Sequence, residues 1–223
     1  MDLRPPSNEQ AHSYNQTMAK MHIKHAAADF EIHELIAQRW SPYVFDGRPV
    51  EPKKLLSCLE ATRWAASSYN EQPWSFIVAT RQQEQAFATM VGCLVETNQS
   101  WAQHAGVLMA SVVCNNFPRD NKPNRVAEHD MGLAVGNMTF QATAMGLSLH
   151  QMAGVNVSKL AKTYRVPNTH SPMTVIALGY AGDSSSPTAA QLAQRDQASR
   201  NRKPLNEFVF DDTWGHTAEI ISR

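Results

Sequence analysis

A continuous run of small and branched residues, VLMASVVC at 107–114, constrains the fold of this chain more than any other feature. Polar residues and a proline follow at 115–118, so the run has the length of a strand rather than that of a helix. A strand without polar alternation is typical of a sheet that is covered on both faces. The run therefore predicts a buried central strand.

Other strands and helices alternate along the chain. Trp74, Phe76 and Val78 alternate as in a strand at 74–80, and apolar segments at 147–152 and 173–180 predict two more strands. Helices are predicted at 30–39, from Pro52 through Leu59, at 82–90, at 130–146 and after Asn156. No internal repeat is visible, and this order is typical of an α/β or α+β protein.

The length favours one domain. At roughly 150 residues per domain, 223 residues make one generous domain or two small ones, and a single core is the simpler interpretation. Residues 1–28 are polar and rich in His, Asn and Gln, so we expect an N-terminal extension followed by one domain at 29–223. Residues 181–200 are expected to form an exposed excursion.

Composition excludes several classes of function. Twenty Lys+Arg balance twenty Asp+Glu, so the chain has no overall field to attract nucleic acid or an anionic membrane, and an anion needs a local cluster of donors. No signal peptide or apolar run of about 18 residues occurs, which predicts a cytoplasmic protein. Three cysteines without C-x-x-C spacing are expected to be reduced core residues.

Familiar catalytic motifs are missing from the sequence. It has neither G-x-G-x-x-G nor a P-loop, and Ser148 lacks the second glycine of a nucleophile elbow. His22 and His25 have no H-E-x-x-H context, so no metal site is predicted. Three polar clusters at element ends remain. Each cluster by itself has an ordinary structural interpretation. Arg39 with Ser41 is typical of an arginine at the end of a helix whose charged group reaches solvent, and Asn70 of a polar turn. Arg200 with Arg202 is typical of a solvated basic tail.

Taken together and in this order, the clusters resemble the nitroreductase family of flavin mononucleotide (FMN) enzymes, over about residues 30–210. The stretch RWSPYVFD at 39–46 is similar to the family's first motif, and ASSYNEQPW at 66–74 to its more specific second motif. Residues 152–155 and 200–205 are similar to two later motifs. The resemblance implies a nitroreductase-like α+β fold with a central mixed β-sheet flanked by helices.

The resemblance also implies a homodimer with the flavin at the subunit interface. The helix at 130–146 corresponds to the family's central helix, which packs against its mate, and Gly132 and Gly136 allow a close approach. The cofactor-binding residues that it implies are Arg39, Trp40, Ser41, Tyr43, Ser67, Ser68, Asn70, Gln72, Ala153, Gly154, Arg200 and Arg202.

The chemistry of these residues suits FMN. Arg39, Arg200, Arg202 and the Ser41 hydroxyl would hold the phosphate through charge-assisted bonds, and Asn70 can both donate to and accept from the flavin pyrimidine edge. Two positions depart from the family. Tyr43 replaces a basic residue, although a phenol still donates a hydrogen bond, and Ala153 replaces a common Glu at the place where the main-chain N–H faces flavin N5.

The implied activity is transfer of hydride from NADH or NADPH through FMN to a nitroaromatic, a quinone or a similar conjugated acceptor, with no catalytic side chain assigned. The alternatives are dehalogenation, enone reduction or dehydrogenation on the same fold, and a flavin-binding protein without turnover. The segment 115–128 stands where the family has a variable lid. Its Phe117, Arg119, Lys122 and Arg125 predict tolerance of anionic aromatic acceptors or of the 2′-phosphate of NADPH.

Overall fold

The computed structural model describes residues 24–184 and 190–221, apart from the side chains of 190–193, so most of the predicted N-terminal extension lies outside the described residues. The helices are α1 (Glu34–Gln38), α2 (Pro52–Arg63), α3 (Glu84–Val91), α4 (Glu96–Ala102), α5 (Ala127–Ala144), α6 (Val157–Tyr164) and α7 (Ala190–Gln197), with short 3₁₀ turns at Ser68–Asn70, Leu205–Glu207 and Glu219–Ile221. The strands are β1 (Trp74–Thr80), β2 (Val107–Cys114), β3 (Ser148–Met152) and β4 (His170–Gly179).

The four strands form one sheet in the order β1-β2-β4-β3, and every neighbouring pair is antiparallel. The prediction of a mixed sheet is therefore wrong for the described residues. After β1 the chain passes through two helices and re-enters the sheet at the end that it left, because Val107, the first residue of β2, pairs with Thr80, the last residue of β1. A parallel pair would need a crossover to the opposite end of the sheet.

The predicted central strand is confirmed. From Val107 to Val113 every residue of β2 is buried, and the strand lies between β1 and β4. Leu108 and Ala110 pack into the core on one face with Trp101, whereas Val107 and Met109 pack into the core on the other. Both faces of the sheet are covered, as a strand without polar alternation requires.

Two local predictions are corrected. The helix predicted at 30–39 is reduced to α1, because His33 caps it by accepting the Leu35 N–H, while Phe30 and Ile32 are exposed and gain no packing from a longer helix. The excursion predicted at 181–200 is mostly exposed where its side chains are described, as predicted, but it also contains α7, whose Asp196 is buried. The long central helix is confirmed, although it begins at Ala127, before the predicted Asp130.

One face of α5 covers the sheet and the opposite face is left open. Met131, Val135 and Met138 are buried in the core, whereas Leu133 and Phe140 are exposed. A Cβ atom added to Gly132 or Gly136 would meet nothing within 4 Å. Leu56 of the neighbouring α2 and Trp64, the residue at its C-terminal cap, are also exposed, so this side of the two helices presents an apolar surface with small residues along it. No helix in the described part of the chain combines the length and apolar character needed to cross a membrane.

Candidate functional site

The structure brings three of the predicted arginines together. Arg39 follows α1, and its Nη1 donates to the Ser41 hydroxyl at 3.0 Å. Arg200 comes back to the same place, where its Nη1 donates to the carbonyl oxygens of Ala37 at 2.7 Å and Lys24 at 3.0 Å. We call Arg39, Arg200, Arg202 and Ser41 the arginine cluster.

The electrostatics of this cluster favour an anion. Burial lowers the pKa of the Arg39 guanidinium, and the charges of Arg200 and Arg202 lower it further. The pKa of Arg200 is lowered by burial and then by Arg202. Among the described residues, the buried Nε of Arg200 has no hydrogen-bond partner. Clustered positive charge with an unused buried donor is unfavourable until an anion binds to it.

A frame of residues that sequence reasoning missed surrounds the arginine cluster. The Lys24 ammonium donates to the carbonyl oxygens of Arg195 and Ala198 at the end of α7, and it lies 5.4 Å from the ring centroid of Trp40. His150 Nδ1 donates to the Pro42 carbonyl at 2.8 Å. Burial lowers the pKa of His150, while the Pro42 hydrogen bond and Asp196 raise it and Arg39 lowers it. Local sequence patterns carry no signal for these long-range bonds.

Tyr43, the residue in place of a family basic residue, takes part in packing. Its ring lies edge-on to Trp101, with 5.2 Å between centroids, and to His150, at 4.7 Å. Its hydroxyl oxygen accepts a hydrogen bond from Arg195 Nη1 at 3.3 Å. In the structure the Tyr43 ring packs against the core and its hydroxyl contacts Arg195. A direct role for Tyr43 in cofactor binding stays a prediction.

The second motif forms a strained, outward-facing loop at 67–72, here called the second-motif loop. Tyr69, Asn70 and Gln72 have φ angles of 53°, 56° and 49°. Non-glycine residues in this region cost of order 1–3 kcal/mol each and cluster at functional sites. Tyr69 and Asn70 are exposed, so the loop presents the predicted flavin-binding amide to the surface.

Bonds within the loop and at its entrance hold this backbone. Gln72 donates its N–H to Ser67 Oγ and its side-chain amide to the Asn70 carbonyl, both at 3.0 Å. The Ser68 N–H donates to Oδ2 of the buried Asp130, in the first turn of α5, at 3.0 Å. Asp130 was not predicted as a site residue, although an acidic residue at a helix N-terminus is a common anchor.

The predicted lid contacts the second-motif loop. Arg119 lies 4.2 Å from the Tyr69 ring centroid and 4.6 Å from that of Phe117, and it pairs with Glu71 at 3.6 Å. Its guanidinium is therefore already partly neutralised. The preference for anionic acceptors stays a prediction, and the geometry assigns Arg119 to joining the lid to the loop.

The third predicted element follows β3. Ala153 is exposed, and the Gly154 carbonyl accepts from the Val95 N–H and from Asn98 Nδ2, each at 3.1 Å. A Cβ on Gly154 would lie 2.5 Å from Asn98 Nδ2 and 2.8 Å from Val95 Cγ2. A larger residue at 154 would therefore have to displace the Asn98 and Val95 side chains, and Asn98 would lose its present position against the Gly154 carbonyl.

The predicted residues thus form separate groups within one chain. Arg39, Ser41, Arg200 and Arg202 lie together, with Trp40 and Tyr43 beside them. Ser67, Ser68, Asn70 and Gln72 form the second-motif loop. No hydrogen bond or ring contact found in the described ranges joins this loop to the arginine cluster.

Comparison with known proteins identifies the family. Residues 36–180 match the Nitroreductase family, and this chain belongs to that family. It is 35% identical over 133 residues, 60% of its length, to an uncharacterized 15.4 kDa protein of Mycolicibacterium smegmatis, of which 87% is covered. It is 24% identical over 165 residues, 72% of this chain and 82% of the relative, to a Methanothermobacter thermautotrophicus protein provisionally named an NADH dehydrogenase/NAD(P)H nitroreductase.

A solved structure agrees with this placement. The crystal structure of an oxidoreductase containing FMN superposes with a TM-score of 0.78 at 29% identity. The match covers 85% of this chain and 96% of the other. The resemblance predicted from the motifs is therefore confirmed at the level of the family and of its α+β fold.

Proposed function

We propose that this protein is an FMN-dependent oxidoreductase that takes hydride from NADH or NADPH and reduces a nitroaromatic, quinone or similar conjugated acceptor. The observation that carries the proposal is the arginine cluster, in which residues from both ends of the domain converge and Arg200 Nε has no partner among the described residues. The FMN of the structural relative and the name of the M. thermautotrophicus relative support the cofactor and the electron donor.

The donor set fits a phosphate monoester. Guanidinium groups match the geometry of phosphate oxygens and keep their charge, and the Ser41 hydroxyl supplies a further donor. Arg39, Ser41, Arg200 and Arg202 would hold the phosphate. Asn70, with its strained backbone already set, would serve the pyrimidine edge, and the Ala153–Gly154 segment would border the flavin ring.

The proposal includes a homodimer. The open face of α5, with Gly132, Gly136, Leu133 and Phe140, is an exposed apolar surface, and such surfaces on soluble domains mark interfaces. Since no hydrogen bond or ring contact in the described ranges joins the exposed second-motif loop to the arginine cluster, a second copy would supply the loop that completes the site. A cytoplasmic location stays a prediction.

The bound flavin would supply the redox chemistry, accepting a hydride at N5 and passing the electrons to the acceptor. The chain's own residues bind and orient the reactants. The positive charge of the arginine cluster would hold the phosphate and the Asn70 amide would orient the ring edge, while Arg119 joins Tyr69 of the loop to Phe117 of the predicted lid. No side chain of the site needs to act as a nucleophile, so we assign no catalytic residue.

The test begins with the absorbance spectrum of freshly purified protein and chromatography of the released cofactor, where we expect FMN. Oxidation of NADH and of NADPH is then followed with and without menadione and a nitroaromatic. Acceptor-dependent oxidation is the expected result. Release of FAD, or no flavin binding after FMN is added, contradicts the cofactor. Tight FMN binding without turnover of either nucleotide indicates a flavin-binding protein instead.

A further inference from the structure

A buried aspartate lies beside the arginine cluster, outside every residue assigned above to flavin binding. Asp196, near the end of α7, is 3% exposed. Its carboxylate accepts the Tyr43 N–H, with 3.1 Å to each oxygen, and the Val44 N–H at 2.9 Å. Hydrogen bonds to an ionised acceptor are about twice as strong as neutral ones, so these bonds fasten α7 to the backbone of the first motif.

The segment that contains Asp196 also carries half of the arginine cluster. Arg200 follows four residues later and donates to the carbonyl oxygens of Lys24 and Ala37. The Lys24 ammonium returns two bonds to the carbonyl oxygens of Arg195 and Ala198. The stretch 195–202 thus holds the first motif at one end and supplies Arg200 and Arg202 at the other.

The first motif depends on these bonds for its position. Tyr43 lies two residues after Ser41, so a shift of the Tyr43 backbone moves the Ser41 hydroxyl and the Arg39 guanidinium that donates to it. On the other side, His150 Nδ1 holds the Pro42 carbonyl at 2.8 Å. Between Pro42 and Val44 the backbone is therefore held by two polar side chains, the half-buried His150 from β3 and the buried Asp196 from α7.

We infer that Asp196 is a positioning residue for the flavin phosphate, which sets the first motif so that Arg39 and Ser41 face Arg200 and Arg202. The inference rests on the proposed function. A change at Asp196 should therefore weaken binding of the phosphate and leave binding of the flavin ring unchanged, because only the phosphate contacts depend on this alignment. A binding site needs such supporting bonds, since small displacements of its donors lose affinity.

The experiment compares two ligands that differ only in the phosphate. FMN and riboflavin are titrated by flavin fluorescence into wild-type protein, Asp196→Ala and Asp196→Asn, with Asp212→Asn as the control at an exposed aspartate. We expect Asp196→Ala to weaken FMN binding about tenfold or more, because the Tyr43 and Val44 N–H groups lose a charged acceptor, and to leave riboflavin affinity within about twofold. Asp196→Asn, which retains one oxygen acceptor, should lie between wild type and Asp196→Ala.

The positioning role of Asp196 is contradicted if the ratio of FMN affinity to riboflavin affinity in the variants equals that of wild type. This covers an equal loss of both affinities, which a general loss of structure would cause, and the absence of any loss. If Asp196→Ala fails to fold, the same ratio is measured in Asp196→Asn. If wild-type protein binds neither flavin, the proposed function is contradicted. If wild-type protein binds FMN and the variants show no selective loss, only the role of Asp196 is contradicted.

Discussion

The arginine cluster and the second-motif loop are built in opposite ways. The cluster is held by contacts between distant parts of one chain, where Arg200 bonds to two carbonyl groups and Asp196 and His150 hold the backbone of the residues that follow Arg39. The loop is held by its own internal bonds, by Asp130 and by contacts with the lid, and it exposes Tyr69 and Asn70 in strained conformations. In the proposed function, a single chain therefore assembles the charged half of the flavin site and exposes the amide half, as expected if the proposed second copy completes the site.

Preventing the proposed dimerisation should have the largest effect on flavin binding. Gly136→Glu should leave the fold of the single chain intact, because nothing lies within 4 Å of the added Cβ. Replacing a helical glycine should also stabilise the helix by about 0.5–1 kcal/mol, since glycine loses more backbone entropy on folding. On the open face of α5 the bulky charge should prevent dimerisation, and FMN affinity should fall by more than about 100-fold, equivalent to about 2.8 kcal/mol. Light scattering and FMN titration measure both effects.

Ala86→Glu, at an exposed position of α3, is the matched control and should change neither mass nor affinity. A monomeric Gly136→Glu protein that binds FMN as wild type does would show that one chain holds a complete site.

Removing one guanidinium tests the charged half. Arg202 is exposed, so Arg202→Ala should change the free energy of unfolding by less than about 0.5 kcal/mol. A charge-assisted bond contributes about 1.5–3 kcal/mol, so FMN affinity should fall roughly 10- to 150-fold while riboflavin affinity is unchanged. At limiting FMN the melting temperature should fall, and excess FMN should restore it.

Lys203→Ala, the neighbouring exposed cation, serves as the control for Arg202. Wild-type FMN affinity in Arg202→Ala would mean that Arg39, Ser41 and Arg200 suffice for the phosphate.

Removing one amide tests the outward half. Asn70→Gly keeps a residue that tolerates a φ of 56° and deletes the proposed ring-edge contacts. Two neutral hydrogen bonds at about 1 kcal/mol each predict a loss of roughly 30-fold, for FMN and riboflavin alike. Asp212→Gly, another exposed position with positive φ, is the control. A loss confined to FMN would place Asn70 at the phosphate end and reverse the assignment of the two halves.

The smallest expected effect is a pH dependence confined to the arginine-cluster half. The pKa of His150 is lowered, first by burial and also by the charge of Arg39. The hydrogen bond to Pro42 and the charge of Asp196 raise this pKa and only partly offset the burial. The unfolded imidazole takes up a proton near pH 6.5 and the folded one only at lower pH, so stability present above about pH 6.5 is lost as the pH falls through that range. Melting temperatures between pH 8 and pH 5 should show a shallower decline in His150→Gln than in wild type. His104→Gln, an exposed histidine, should follow wild type, and an equal decline in all three proteins contradicts the role of His150.

Much of the molecule could be predicted from the sequence because its signals are local. Eight consecutive residues without alternation made β2 a buried strand, and one nine-residue string located the second motif ahead of β1. The family followed from motif order, and its match over residues 36–180 confirms it. The extent of α1 could not be predicted, because the apolar spacing of 30–39 does not reveal that Phe30 finds nothing to pack against.

By itself, therefore, the sequence determined which segments are strands, which helix is central and which loop is specific to the family. Only the tertiary structure decided that the sheet is antiparallel throughout, that Arg39 and Arg200 share one site, and that α7 is fastened to the first motif by Asp196. The physical reason is range. Periodicity and turn chemistry act over a few residues, whereas strand direction and a carboxylate that bonds backbone N–H groups 153 and 152 residues away depend on how the whole chain packs.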